Sequence, residues 1–313
     1  MMQANAYRIH SLEDALGFQL LELLNREDVI EVWLNSDGKL FAESLKQGKW
    51  LTDISISPER AKNIITTIAG SVDKIVDENN PLLDATLLIN NARFSGAIPP
   101  ACVSPHFNMR KQATIIYSLD DMVRQGNITE SGAAIIRQLV AKKRNILISG
   151  STGSGKTTFS NAVLLEMSKT GDRLIIIEDT PELQCGAEDY QKLQVCPGAD
   201  LLALVRSVLR KRPDRAIVGE LRGAEAHGLL KLWNTGHPGG LATLHADSAL
   251  DALSRIEDLV AESIDNPPKR LIYKAVHCVI FMEKVEGGAR RVTSIAEVCG
   301  HDGTDYKVNE LLE

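Results

Sequence analysis

Apolar residues recur at two different rhythms along this chain, and the change of rhythm divides it. In the first stretch, Leu12, Leu16, Leu20 and Leu23 stand at helical intervals and predict a helix over residues 10–24. Strands are expected over residues 29–34 and 39–42, with Ser36, Asp37 and Gly38 as the turn between them. A second helix is expected over residues 57–71. Ser57 caps it, Pro58 suits its first turn, and Ile64, Ile65 and Ile68 face inward. Residues 87–89 and 93–98 read as another strand pair. Together these predict a small α+β domain over residues 1–112, with no catalytic signature of its own.

Beyond residue 128 the elements alternate. Helices are expected over 131–142, 158–168, 201–209, 224–234 and 249–262. Short apolar strands are expected between them, over 145–149, 173–178, 215–218 and 241–245. That order predicts an α/β domain over residues 128–313, a mainly parallel sheet with helices on both faces. Residues 278–281 and 291–297, joined by Gly287 and Gly288, read as a closing hairpin. Residues 113–127 read as a linker that holds a short helix at 119–124.

Bulk composition narrows the function. At 313 residues the length suits about two domains. The net charge of -6 argues against a chain built to clamp nucleic acid, so no stable nucleic-acid binding is expected. The five cysteines form no C-x-x-C pair, which reads as reduced thiols in the cytoplasm. No stretch approaches the roughly eighteen apolar residues of a membrane span. Contact with a membrane is therefore expected to be peripheral or through partners.

The chemistry begins at Gly150, Ser151, Thr152, Gly153, Ser154, Gly155, Lys156 and Thr157, followed by Thr158. This G-x-x-x-x-G-K-T run lies between a predicted strand and a predicted helix. Its glycines let successive N–H groups point at a phosphate, Lys156 reaches the β- and γ-phosphates, and the Thr157 hydroxyl takes a place on Mg²⁺. ATP with Mg²⁺ is the expected ligand pair. In an open parallel sheet ligands bind beyond the carboxyl ends of the strands, so the polar residues there matter. One such end carries Glu178, Asp179 and Glu182, which fit a metal-bound water or a solvated acidic turn. Another carries Glu220 and Arg222, which fit water activation or a plain ion pair. His245 ends a third strand, where an imidazole can sense a γ-phosphate. His237 reads as packed or solvated. His10, His106, His227, His277 and His301 receive no role.

Four runs, GSTGSGKT, IEDTPEL, RPDRAIVGELRGAEA and NTGHPGGLATLHADSALDAL, together resemble the Walker A, aspartate, Walker B and histidine boxes of the secretion-superfamily ATPases. The wording RPDRAIVGE and WNTGHPGG, and the lack of a paired-cysteine zinc motif, favour the traffic ATPases of type IV secretion and conjugative transfer. The resemblance implies a RecA-like fold and a homohexamer working with inner-membrane components, cytoplasmic and peripheral to the membrane. It implies that Glu220 orients the attacking water, that Glu182 assists, and that Arg222 and His245 read the γ-phosphate. Arg93 and Arg110 of the first domain are implied at the phosphates. The Walker B strand ends in Gly219 and Glu220 without the usual aspartate, so a metal contact there runs through water. A pilus-retraction ATPase of the same superfamily and a RecA-like nucleic-acid motor are the alternative readings.

Overall fold

The computed structural model describes residues 2–44, 47–111, 116–285 and 288–312, with side chains from residue 6 onward. Residues 113–115 of the expected linker and Gly287 of the expected hairpin turn lie outside the described residues. The chain divides into two compact units, residues 1–114 and 115–313.

The first unit runs α1 (Met2–Asn25), β1 (Val29–Leu34), β2 (Lys39–Ser44), β3 (Gly48–Ser55), α2 (Pro58–Ser71), β4 (Leu82–Thr86), β5 (Arg93–Ala97) and β6 (His106–Arg110). Helix α1 is longer than its leucine spacing implied, and it breaks at Gly17, whose φ is 71°. Ser57 caps α2 by accepting from the Arg60 N–H. The six strands form one antiparallel sheet in the order β3-β2-β1-β6-β5-β4. Leucines of α1 and isoleucines of α2 pack with Val32, Leu40, Phe94, Phe107 and Met109 into one buried core.

One strand expectation fails here. Residues 87–89 form a turn, and β5 pairs instead with β4, from Leu82↔Ala97 to Thr86↔Arg93. Leu87 is fully buried, yet its N–H bonds Ala92 O and its carbonyl accepts from Asn91, so it closes the hairpin. An apolar run served the core from a turn, which strand periodicity cannot distinguish.

The second unit runs α3 (Leu119–Arg124), α4 (Glu130–Ala141), β7 (Ile146–Gly150), α5 (Lys156–Ser168), β8 (Leu174–Glu178), β9 (Tyr190–Gln194), α6 (Leu201–Val208), β10 (Arg215–Val218), α7 (Glu225–Asn234), β11 (Leu241–Leu244), α8 (Ala249–Ala261), α9 (Lys269–Ala275), β12 (Cys278–Lys284), β13 (Arg290–His301) and β14 (Tyr306–Glu310). Its eight strands lie in the order β14-β13-β12-β7-β11-β10-β8-β9. The six from β12 to β9 are parallel, and β13 and β14 add antiparallel. Residues of β7, β8, β10 and β11 are buried throughout, because apolar layers cover both faces of the sheet. One layer holds residues of α3, α4 and α5, the other residues of α6 to α9. Leu119 and Met122 of α3, in the stretch read as a linker, are buried in the first of these cores.

The ends of the strands away from the P-loop are locked by buried polar groups. Asn145, fully buried before β7, accepts from the N–H groups of Gly239 and Gly240 at 2.7 and 3.0 Å and donates to Ala275 O at 2.7 Å. Its own N–H donates to His277 Nδ1 at 2.8 Å, and burial holds that imidazole below its ordinary pKa, which keeps it an acceptor. A Cβ on Gly240 would stand 2.0 Å from Trp233 Nε1, so glycine is required beside that indole. Arg215, 1% exposed, donates to Asp172 at 2.7 Å and to the carbonyls of Val140 and Gly239. Burial alone would raise the Asp172 carboxyl, but bonds from Lys143, Thr170 and Arg215 bring it below the usual range. Removing Asp172 strands the buried Arg215 guanidinium. Asp172→Ala should therefore cost about 3–5 kcal/mol of stability, read by calorimetry of the full chain, and a loss under about 1 kcal/mol would refute this role for the pair.

Candidate active site

Strand β7 delivers the chain to Gly150 at the carboxyl edge of the sheet, and α5 leaves from Lys156. A Cβ on Gly150 would lie 2.2 Å from the Met282 carbonyl of neighbouring β12, so no other residue fits there. Gly155 caps α5 with φ 95°. Ser151 and Thr152 stand exposed on the rim of the loop, and Thr158 is half-buried in the first turn of α5. The buried Ser154 hydroxyl has no hydrogen-bond partner among the described residues.

Lys156 is 8% exposed. Its ammonium donates to Gly150 O at 2.7 Å and Ser151 O at 3.0 Å, and meets His245 Nδ1 at 3.1 Å. An ammonium only donates, so Nδ1 is the acceptor and Nε2 carries the imidazole hydrogen. That Nε2 lies 2.8 Å from Glu220 Oε1. The other Glu220 oxygen accepts from Arg222 Nε at 2.6 Å, and Arg222 Nη1 donates to Asp179 at 3.1 Å. One polar chain thus runs from the P-loop lysine through His245 and Glu220 to Arg222 and Asp179. Beside it, the Thr157 hydroxyl donates to Glu182 Oε2 at 3.2 Å. Lys156, Thr157, Glu182, Glu220, Arg222 and His245 therefore meet at one strand edge. His237 takes no part in this network, and its buried Nδ1 has no partner among the described residues.

The three carboxylates at the end of β8 have three different surroundings. Asp179 pairs with Arg222, and Glu182 touches Thr157. Glu178 turns inward, 3% exposed, and its Oε1 accepts from the N–H groups of Glu182 and Leu183, each at 2.7 Å. Burial raises its pKa, against the pull of those two bonds.

Further positioning groups escaped the sequence reading. Asn161 of α5, 2% exposed, donates to Glu182 O at 3.4 Å and accepts from Gln184 N at 2.8 Å, tying the acidic loop to the P-loop helix. Its signal was a polar residue inside the apolar run of α5. Glu225 accepts from the N–H groups of Arg222 and Gly223 at 2.6 and 2.9 Å. An acid in the first turn of a helix is the usual partner for such groups, so this one was readable. The Thr243 hydroxyl donates to Gly219 O at 2.6 Å and fixes the backbone before Glu220.

Arg93 and Arg110 belong to the first unit. They are direct cross-strand partners on β5 and β6, on the sheet face away from Phe94 and Met109. Like charges opposite one another cost energy unless an anion joins them. Glu31 of β1 is the other partner of Arg110.

Residues 82–292 match the family described as type II/IV secretion system protein. The chain belongs to that family. Its activity is ATP hydrolysis. Among relatives of this secretion ATPase, the probable conjugal transfer protein TrbB of Sinorhizobium fredii is 42% identical over 93% of the chain and 89% of its own length. The conjugal transfer protein TrbB of Rhizobium radiobacter is 39% identical over 97% of the chain and 94% of its own length. The solved VirB11 ATPase of the Brucella suis type IV secretion system is 26% identical, with a TM-score of 0.50 over 94% of this chain and 96% of that one. No helix among the described residues is long and apolar enough to cross a membrane.

Proposed function

We propose that this secretion ATPase powers conjugal DNA transfer through a type IV secretion system, as a homohexameric ring peripheral to the inner membrane. The family and the near full-length likeness to conjugal transfer proteins support the system. The observation that carries the chemistry is the imidazole of His245. It touches the P-loop cation on one side and the strand-tip acid on the other, at 3.1 and 2.8 Å. A γ-phosphate at that junction changes the partners of both.

In this reading the loop amides and Lys156 bind the β- and γ-phosphates, and Gly150 to Thr158 form the cradle. The unpartnered Ser154 hydroxyl and the glycine-only fit at Gly150 suit an anionic ligand. The Thr157 hydroxyl and the Glu182 carboxylate, 3.2 Å apart, are hard oxygen donors of the kind Mg²⁺ takes. Thr157 and Glu182 would hold Mg²⁺, with Glu220 reaching it through water, and the ion would supply charge neutralisation at the phosphates. Glu220 orients the attacking water, with Glu182 assisting. Arg222 exchanges its carboxylate partners for the γ-phosphate, and His245 reports the change from Lys156 to Glu220. Catalysis is then mostly positioning and charge neutralisation.

Lys156→Ala should bind Mg²⁺–ATP weakly, hydrolyse it at under about 1% of the wild-type rate, and fail to support plasmid transfer in a strain lacking the wild-type gene. Wild-type turnover in the purified variant would overturn the enzymatic reading. Wild-type plasmid transfer with turnover lost would overturn the transport role.

Arg93 and Arg110 face each other across β5 and β6, and the reading assigns them to the transition state. Arg93→Ala and Arg110→Ala should each lower kcat by about 10³ while keeping most of the ATP affinity. Light scattering of the same samples with ATP and Mg²⁺ should give the mass of six chains. Unchanged kcat would remove the arginines from the chemistry, and monomers under every nucleotide condition would remove the ring.

A further inference from the structure

The P-loop has a second basic neighbour, on the second strand of the closing hairpin. Arg290 opens β13, and its Nε donates to Gly153 O at 2.9 Å. Its Cδ lies 3.1 Å from where a Cβ on Gly155 would stand, so the arginine stem packs on the crown of the loop. The residue is itself held. Asn127 Nδ2 donates to Arg290 O at 2.7 Å, and Val292 N donates to Asn127 O at 2.8 Å. On the other strand of the hairpin, the Met282 carbonyl closes over Gly150.

The bond to Gly153 has a directional consequence. In a trans peptide the C=O of one residue and the N–H of the next point in opposite directions. Gly153 has φ +76°, a conformation glycine adopts in either orientation at little cost, so the peptide after it needs an external anchor. Arg290 draws the Gly153 carbonyl toward itself. The Ser154 N–H then points to the inner side, where it meets Ser151 O at a long 3.3 Å. Lys156 Nζ meets the same carbonyl at 3.0 Å. The two donors converge on one point inside the loop. A cation on the carbonyl also polarises the peptide and strengthens the N–H as a donor.

We propose that Arg290 is a positioning residue for nucleotide binding: from the β12–β13 hairpin it sets the Gly153–Ser154 peptide so that the Ser154 N–H faces the phosphate. The inference rests on the reading of Gly150 to Thr158 as the nucleotide cradle. It makes the hairpin a part of the P-loop, joined through Arg290 and Met282. Because a β-phosphate is present in substrate and product alike, the effect is on binding of both and little on the chemical step.

The test compares wild type, Arg290→Met and Arg290→Lys as full chains. Mg²⁺–ADP affinity is read by titration calorimetry, and KM and kcat by ATP turnover. Arg290→Met should weaken ADP about tenfold and raise KM by a similar factor, the scale of one charge-assisted hydrogen bond, with kcat within about threefold of wild type. Lysine can still donate to the carbonyl, so Arg290→Lys should recover part of the loss. Three results would overturn the proposal: wild-type Kd and KM in Arg290→Met, a collapse of kcat at constant KM, or no recovery in a folded Arg290→Lys. If the wild-type chain itself shows no measurable Mg²⁺–ADP binding, the nucleotide reading fails, a result distinct from unchanged affinity in Arg290→Met alone.

Discussion

A buried ammonium needs oxygen or nitrogen acceptors, and that need organises the carboxyl edge of the second unit. Lys156 is nearly enclosed, so each of its hydrogens must find a partner. It finds two backbone carbonyls and an imidazole. The imidazole must then present Nδ1 as acceptor, which leaves Nε2 to donate to Glu220. Glu220 keeps one oxygen for His245 and gives the other to Arg222, whose Nη1 donates to Asp179. Each partner follows from the one before it. A phosphate that takes over the lysine disturbs every link, and in the proposed mechanism that disturbance is the signal that ATP has arrived.

Buried polar groups tie the opposite edge of the sheet together. Asn145 satisfies two glycine N–H groups and a carbonyl, and Arg215 satisfies Asp172 and two carbonyls. Asn145 and Arg215 have little exposure to water. Part of the signature around the histidine box is therefore structural. Gly239 and Gly240 are glycines because Arg215, Asn145 and Trp233 occupy the space a side chain would need. His277 keeps its acceptor nitrogen for Asn145.

The α/β pattern and the P-loop were legible because both are local. Buried parallel strands read as short apolar runs, and G-x-x-x-x-G-K-T carries its own strand and helix. Five strands, β3, β4, β6, β9 and β14, were missed. One of them, β9, has an exposed pattern with no apolar run, and its place at the sheet edge comes only from pairing with β8. In the first unit, Leu87 misled because a buried leucine in a turn looks like a strand residue. Site residues at strand ends were legible because the sheet predicts where they go. Asn161 and Arg290 were not, since their partners lie 21 or more residues away in sequence and only the fold brings them close. Glu178 shows the converse: its box was recognised, and the structure turns it inward as a brace, leaving Glu182 to reach Thr157.

The central claim is that the acid at the end of the His245 link, Glu220, orients the water that attacks ATP. Glu220→Gln keeps the shape and one acceptor oxygen, and it removes the charge together with one of the two hydrogen bonds that the carboxylate accepts. Single-turnover hydrolysis of Mg²⁺–ATP by this variant, beside Glu182→Gln, tests the claim most directly. The account predicts that Glu220→Gln binds nucleotide with near wild-type affinity and hydrolyses it about 10² to 10⁴ times more slowly, with the smaller loss in Glu182→Gln. Normal hydrolysis in Glu220→Gln together with a dead Glu182→Gln would contradict it and hand the role to the acid beside Thr157.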